Sequence, residues 1–395
     1  MLMHLYAFES STLPYIPVTH PAYGAKGDGV TNDRDAIQAA IDAVPSTGGI
    51  VYFPRGTYYI GSSIGFTNKT NVVLQGAGSA GWGGNADNAG PSRIISDQAI
   101  WLVNAGPASG TAVPGGIHIS GLSFEDRSAS SIGLGAIRVN HSQHVQIQDV
   151  AIANFKTGYG IYFDGTGGSL DAVQYGSLID VKCRKVKYGI KAEGGTMQFV
   201  VMGGHFAAPD SPNYTGSVGI WIEAGPNARG DTWQINNPSL ESYETGIILR
   251  GALSTRVKAR IENTDATSKY DATGILIEGT AAFTARANVV SECSLNGCDV
   301  GIKVGTLATE TQMYGNSLID IATAQYDVDA SVSADTFITG MNLFGSGAGT
   351  GGVRVGPGGY QSGSIQTGSV CYRTDGASPG VPGLYVGENG AWVAK

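Results

Sequence analysis

A Gly–Ile pair returns along this chain at a nearly fixed interval, and that periodicity limits what the chain can fold into. It reads GAIRVN from 135, GIYFDG from 160, GIKAEG from 189, GIWIEAG from 219, GIILRG from 246, GILIEG from 274 and GIKVG from 301. Successive copies begin 25, 29, 30, 27, 28 and 27 residues apart. Regular self-similarity at such a period marks a solenoid, in which each unit buries its apolar face only against its neighbours. Within each copy apolar and polar residues alternate, the two-residue period of a strand. The unit suits one coil of three short strands joined by turns, so the pattern predicts an all-β parallel β-helix.

Composition agrees. Glycine supplies 60 of 395 residues, while Asp, Glu, Lys and Arg make up only 14%, well below the usual quarter. Collagen spacing is absent, so the glycines are expected at tight corners, where positive φ costs them nothing. The net charge of −8 excludes a general nucleic-acid binder, which needs a basic footprint. No stretch has the apolar length of a membrane span. The opening MLMHLYAFESSTLPYIPV lacks a basic n-region, apolar run and cleavage site, so no classical export leader is read. Cys183 and Cys293 take inward strand positions, and Cys298 stands too close and too alone beside Cys293 for a zinc site. These three and Cys371 read as reduced packing residues. No histidine has a spaced carboxylate or cysteine partner, so no metal site and no cofactor are read; a divalent cation such as calcium stays open.

Residues 1–20 carry no clear period and read as an N-terminal arm. Residues 21–62 form a head: Asn32 or Asp33 can cap a short helix whose Ile37, Ala40, Ile41 and Val44 share one face. That helix is the natural cover for the first coil, because an open solenoid end exposes core and strand edges. Residues 63–345 carry the coils, and 346–395 hold one more rung (GVRVG) and a turn-rich C-terminal module. The run YGAKGDGVTNDRDAIQAAIDAV, followed by GGIVYFPRGTY, resembles the opening of the pectate-lyase-like superfamily, which includes many bacteriophage tailspikes and polysaccharide depolymerases. The ending GLYVGENGAWVAK is similar to the short ends of phage tail proteins. The resemblance implies a right-handed β-helix in a homotrimer, with a bacterial surface polysaccharide as partner and a virion or extracellular location. The Asn-Thr-Asp, Asp-Asp, Gly-His-Gly and Arg-Ile-Lys elements of polygalacturonases are missing at their expected places, so no catalytic residue carries over from them.

Stacking turns the sequence into ladders whose rungs lie ~4.8 Å apart. One outward ladder reads Asn140, Asp164, Glu193, Glu223, Arg250, Glu278 and Gly305. Adjacent carboxylates at ~5 Å repel by ~1 kcal/mol in water and ~3 kcal/mol at an effective dielectric of 20, so three consecutive acids point to a role in binding substrate or cation, or else to a solvated acidic face. Beside it run Arg138, Tyr162, Lys191, Trp221, Ile248, Leu276 and Lys303. The flat faces of Tyr162 and Trp221 suit sugar rings; Ile248 and Leu276 need cover, which a neighbouring subunit can give.

The preceding strand supplies a second constellation. Ala151, Lys182, His205, Ser239, Arg260 and Ser294 form one ladder, and Ala153, Arg184, Ala207, Glu241, Glu262 and Asn296 the next. Two carboxyls ~5 to 5.5 Å apart fit a retaining glycosidase, and ~6.5 to 9.5 Å an inverting one. A lyase instead needs a base and cations for a uronate carboxylate, which Lys182, Arg184, Lys191, Lys258 and Arg260 can supply. Cross-strand ion pairing of Glu241 and Glu262 with Arg184 and Arg260 is the structural alternative. The catalytic candidates are therefore Asp164, Glu193, Glu223, Glu241 and Glu262, one of them protonated through crowding by like charge. Tyr162, Lys191, Trp221, Lys182, Arg184, His205 and Arg260 are the substrate-binding candidates. The expectation is a tailspike-like depolymerase. Its alternatives are a non-catalytic glycan-binding tail or adhesion protein and a secreted pectin- or alginate-type lyase or hydrolase.

Overall fold

The computed structural model describes residues 14–66, 69–81, 90–106, 115–166, 173–211, 214–263, 272–329, 331–332 and 336–338, and beyond these the backbone of five short strands. The expectations for residues 1–13 and for the side chain of Cys371 fall outside the described residues. Parallel strands from successive coils stack into one sheet of nineteen strands and one of eleven. Together they form a right-handed parallel β-helix.

Each coil has three straight runs. The nineteen-stranded sheet bends at Asp149, Asp180, Gly203, Asn237, Glu292 and Gly315, all at positive φ, which divides it into a first and a second face. A second corner at Asn154, Lys185, Ser242, Gly297 and Asp320, again at positive φ, precedes the eleven-stranded third face. A third set (His144, Tyr175, Gln198, Thr232, Ser254, Ala287 and Glu310) opens the first face. The left-handed corners are thus mostly held by residues that carry a Cβ, against the expectation that glycine fills them. Ala287, at φ 53°, has no side-chain hydrogen bond to offset the ~1–2 kcal/mol that this conformation costs an L-residue. Ala287→Gly should therefore raise stability by about 1 kcal/mol, read as a higher denaturant midpoint at unchanged slope.

The repeating glycines do something else. None of Gly160, Gly189, Gly219, Gly246, Gly274 and Gly301 has positive φ; a Cβ on each would point inward and meet the carbonyl oxygen of the next coil at 2.5–2.7 Å. Glycine recurs there because two backbones approach too closely for a methyl group. In the first copy Ala136 holds this position, since Gly135 pairs with Tyr159 and Ile137 with Ile161. The isoleucine that follows is fully buried in every copy. Ile161, Ile190, Ile220, Ile247, Ile275 and Ile302 make a continuous inward row. Phe199 stacks on Trp233 at 4.5 Å inside the solenoid, and the indole N–H donates to the Thr196 carbonyl.

The head closes the top of the third face. The helix Arg34–Asp42 buries Ile37, Ala40 and Ile41, and Gln38 makes both amide hydrogen bonds to the backbone of Gly65, at 2.8 and 3.0 Å. Gly65 lies on the edge strand Ile64–Phe66, so the side chain takes the place of a missing neighbouring strand. Asp33 precedes the helix but makes no side-chain cap; its carboxylate accepts the N–H groups of Lys26 and Gly27 instead. Asn32 accepts from Arg34 N–H. The arm is shorter than the sequence suggests, because Tyr15–Pro17 already pairs in parallel with residues 50–52. At the far end Val353–Val355 pairs with residues 326–328, and three antiparallel strands follow.

Cys183, Cys293 and Cys298 are free and buried. Burial pushes the Cys293 and Cys298 thiols up to about 12, so they pack as small apolar groups rather than react.

Candidate functional site on the third face

The ladders align as the coil period requires. Asn140, Asp164, Glu193, Glu223, Arg250 and Glu278 are successive register partners, as are Arg138, Tyr162, Lys191, Trp221, Ile248, Leu276 and Lys303. Both rows lie on the eleven-stranded sheet, because the residues between them point into the core.

The acids and cations of these rows interlock. Arg138 pairs with Asp164 at 2.6 Å. Lys191 pairs with Glu223 and lies 3.9 Å from Glu193, while the Tyr162 hydroxyl donates to Glu193 at 3.0 Å. Arg250 joins Glu278 at 2.6 Å and Glu223 at 3.4 Å. Glu223 is thus gripped by two cations, and Glu193 by a phenol and a more distant ammonium. Burial raises the Asp164 carboxyl, but hydrogen bonds from Arg138 and Thr166 outweigh it and leave the group below the usual carboxylate range. Asp164 thus stands as an ion-pair anchor on this face.

Lys191 differs from its expected exposed position. Its side chain is only 6% exposed, with the ammonium 3.3 Å from the centroid of the Trp221 ring. Burial draws its pKa down, and the pairs with Glu223 and Glu193 offset this only in part. Asn140 is buried too, and Ile248 is just 6% exposed, so its cover comes from its own chain rather than a neighbouring subunit.

Beside the charged rows stands an aromatic ridge that the sequence reading missed. Trp101, Tyr159 and Tyr188 lie level on their strands, at the start of the third face. Tyr159 stacks on Tyr188 at 4.7 Å, and Trp101 on Tyr159 at 5.6 Å and on Tyr162 at 5.8 Å. Trp101 reaches across one coil because that coil carries Gly135, where a Cβ would lie 2.2 Å from the indole. Tyr188 then leans on Trp221 at 6.0 Å. The rings cover one another's faces in part, so the ridge offers apolar edges and hydroxyls rather than the open faces expected of Tyr162 and Trp221. Burial, then the charges of Asp164 and Glu193, push the Tyr162 phenol above its usual value, which keeps it a donor.

The second constellation sits around the corner, on the second face. Lys182, His205, Ser239, Arg260 and Ser294 are register partners, and so are Arg184, Ala207, Glu241, Glu262 and Asn296. Glu241 and Glu262 are direct neighbours, but they do not use the expected arginines alike. His205 Nε2 meets Glu241 at 2.9 Å, whereas Arg260 pairs with Glu262 within its own strand. Lys182 is held by Asp149 and Asp180, at 3.1 and 2.8 Å, and Lys258 by Glu292. Among the described residues no three His, Cys, Asp or Glu side chains gather into a metal site, and no helix is long and apolar enough to cross a membrane.

Residues 18–202 match the family described as rhamnogalacturonase A/epimerase, pectate lyase-like. Plasmin and fibronectin-binding protein A of Streptococcus pneumoniae is 33% identical over 157 residues, 36% of this chain and 22% of that protein. Alginate lyase 7 of Azotobacter vinelandii is 50% identical over 62 residues, 14% of this chain and 7% of that protein. The chain thus spans less than a quarter of the length of either relative. A tailspike protein of E. coli bacteriophage HK620 has the same fold, with a TM-score of 0.60 at 14% identity over 86% of this chain and 65% of that one. Its first half thus resembles that family, and with its sheets stacked coil on coil the chain is a right-handed parallel β-helix protein.

Proposed function

We propose that the third face binds a bacterial surface polysaccharide and that the protein cleaves it in the manner of a tailspike depolymerase. The observation that carries this reading is the interlocked row Lys191–Glu193–Glu223–Arg250 along the aromatic ridge of Trp101, Tyr159, Tyr188 and Trp221. Apolar edges suit the C–H surfaces of sugar rings, and the adjoining charges suit their hydroxyls. Glu193 and Glu223 are direct register partners on neighbouring coils. Side chains rooted ~4.8 Å apart can adopt the ~5 to 5.5 Å separation of a retaining glycosidase. In that scheme Glu223, between two cations, is the carboxylate that meets the developing positive charge, and Glu193 delivers the proton to the leaving oxygen.

The relatives named a tailspike and an alginate lyase support a glycan as the partner. A homotrimer and a virion or extracellular location belong to the same proposal. A binding-only role is the second reading, favoured by one observation: Asp164, Glu223 and Glu278 are all ion-paired on this face. The test is incubation with bacterial surface polysaccharides, following new reducing ends and the absorbance of unsaturated uronates. Hydrolysis predicts reducing ends without that absorbance. Glycan retention with neither product supports the binding-only role.

A further inference from the structure

The charges of the third face also indicate which glycans fit it. Among the described residues its two rows hold five carboxylates, Asp164, Glu193, Glu223, Glu278 and Asp327, against four cations, Arg138, Lys191, Arg250 and Lys303. Every one of those cations is engaged. Arg138 is committed to Asp164 at 2.6 Å, Arg250 bridges Glu223 and Glu278, and Lys303 lies 4.0 Å from Asp327. Lys191 is buried beneath Trp221 and paired with Glu223. A uronate or sulfate on this row would meet a surplus of negative charge. It would gain a cation only by breaking a pair already made, leaving a half-buried carboxylate without its partner. An uncharged sugar meets no such conflict, since paired charges still offer hydrogen bonds to hydroxyls and amides and the ridge offers apolar edges.

We infer that the groove is selective for uncharged polysaccharides, including N-acetylated ones, and rejects polyuronates. This assignment rests on the proposal that the third face binds glycan. Lys187, near the corner with its ammonium 5.9 Å from the Tyr188 ring centroid, is the cation through which an acidic chain could still engage the ridge.

The experiment uses matched probes on the whole protein: polygalacturonate and alginate, each beside its carboxyl-reduced form, with dextran and yeast mannan as neutral chains. Binding is measured by quenching of tryptophan fluorescence and by equilibrium dialysis, at about 20 and about 500 mM NaCl. The expected result is at least ~10-fold tighter binding of carboxyl-reduced or neutral chains than of the acidic ones, changing less than about 2-fold with salt. Tighter binding of an acidic chain that weakens with salt, and is lost in Lys187→Ala, overturns the inference while leaving the glycan groove standing. Binding of neither class, or neutral binding indifferent to Trp221→Ala, overturns the glycan reading and this assignment together.

Discussion

Gly219→Ala should destabilise the solenoid by about 2–4 kcal/mol, a large effect for one methyl group. The added carbon would lie 2.2 Å from Leu240 Cδ2 and 2.7 Å from the Gly246 carbonyl oxygen. One of those neighbours is a fully buried side chain and the other is backbone, so neither can swing aside. The coils would have to separate locally, lengthening the hydrogen bonds between residues 218–223 and 245–250. Because each coil touches only its neighbours, the damage should concentrate at that interface. Limited proteolysis should then cut between about residues 210 and 255 well before the rest of the chain. Ala136→Gly, at the one copy that already accommodates a methyl group, should cost no more than about 1 kcal/mol. Equal losses in the two variants would mean that the repeat glycine is not kept by coil-to-coil contact.

The second large effect concerns chemistry. If Glu193 and Glu223 are the acid and the charged carboxylate, Glu193→Gln and Glu223→Gln should each slow polysaccharide cleavage by about 10²–10⁴-fold. The amides keep the size of the side chains, so binding should fall far less than turnover. Glu223→Gln has a further consequence: Lys191 loses its nearest counter-charge while only 6% exposed. That variant should lose a few kcal/mol of stability as well, whereas Glu193→Gln should not. Cleavage kept within about 2-fold of wild type in both variants would exclude this pair. A comparable loss in Glu241→Gln or Glu262→Gln instead would move the chemistry to the second face, where His205 stands against Glu241.

The register of both faces was legible because the Gly–Ile period is so regular: a fixed coil length converts sequence spacing directly into lateral neighbours. Glu193 beside Glu223 and Glu241 beside Glu262 follow from that alone. Other features depend on three-dimensional coincidence. Tyr159 and Tyr188 each stand directly before a Gly–Ile pair, a periodic signal that was passed over, whereas Trp101 lies ahead of the first copy and has no such signal. Gly135 was the available clue, as an extra glycine in the one copy that reads Gly-Ala-Ile. Corners at Tyr175, Gln198 and Ala287 were invisible because left-handed backbone is ordinarily read from glycine and asparagine. The burial of Lys191 depends on which way Trp221 tilts, a packing outcome that alternation cannot encode. Nor could alternation reveal that Arg138 and Thr166 hold Asp164 ionised, or that Gln38 seals the edge at Gly65.

A crystal structure of the protein with an oligosaccharide from a glycan it retains would test the central claim most directly. Sugar rings are expected along the third face, in contact with Tyr188 and Trp221 and within hydrogen-bonding distance of Glu193 or Glu223. Sugar seated on the second face over His205 and Glu262, with the aromatic ridge bare, would contradict it.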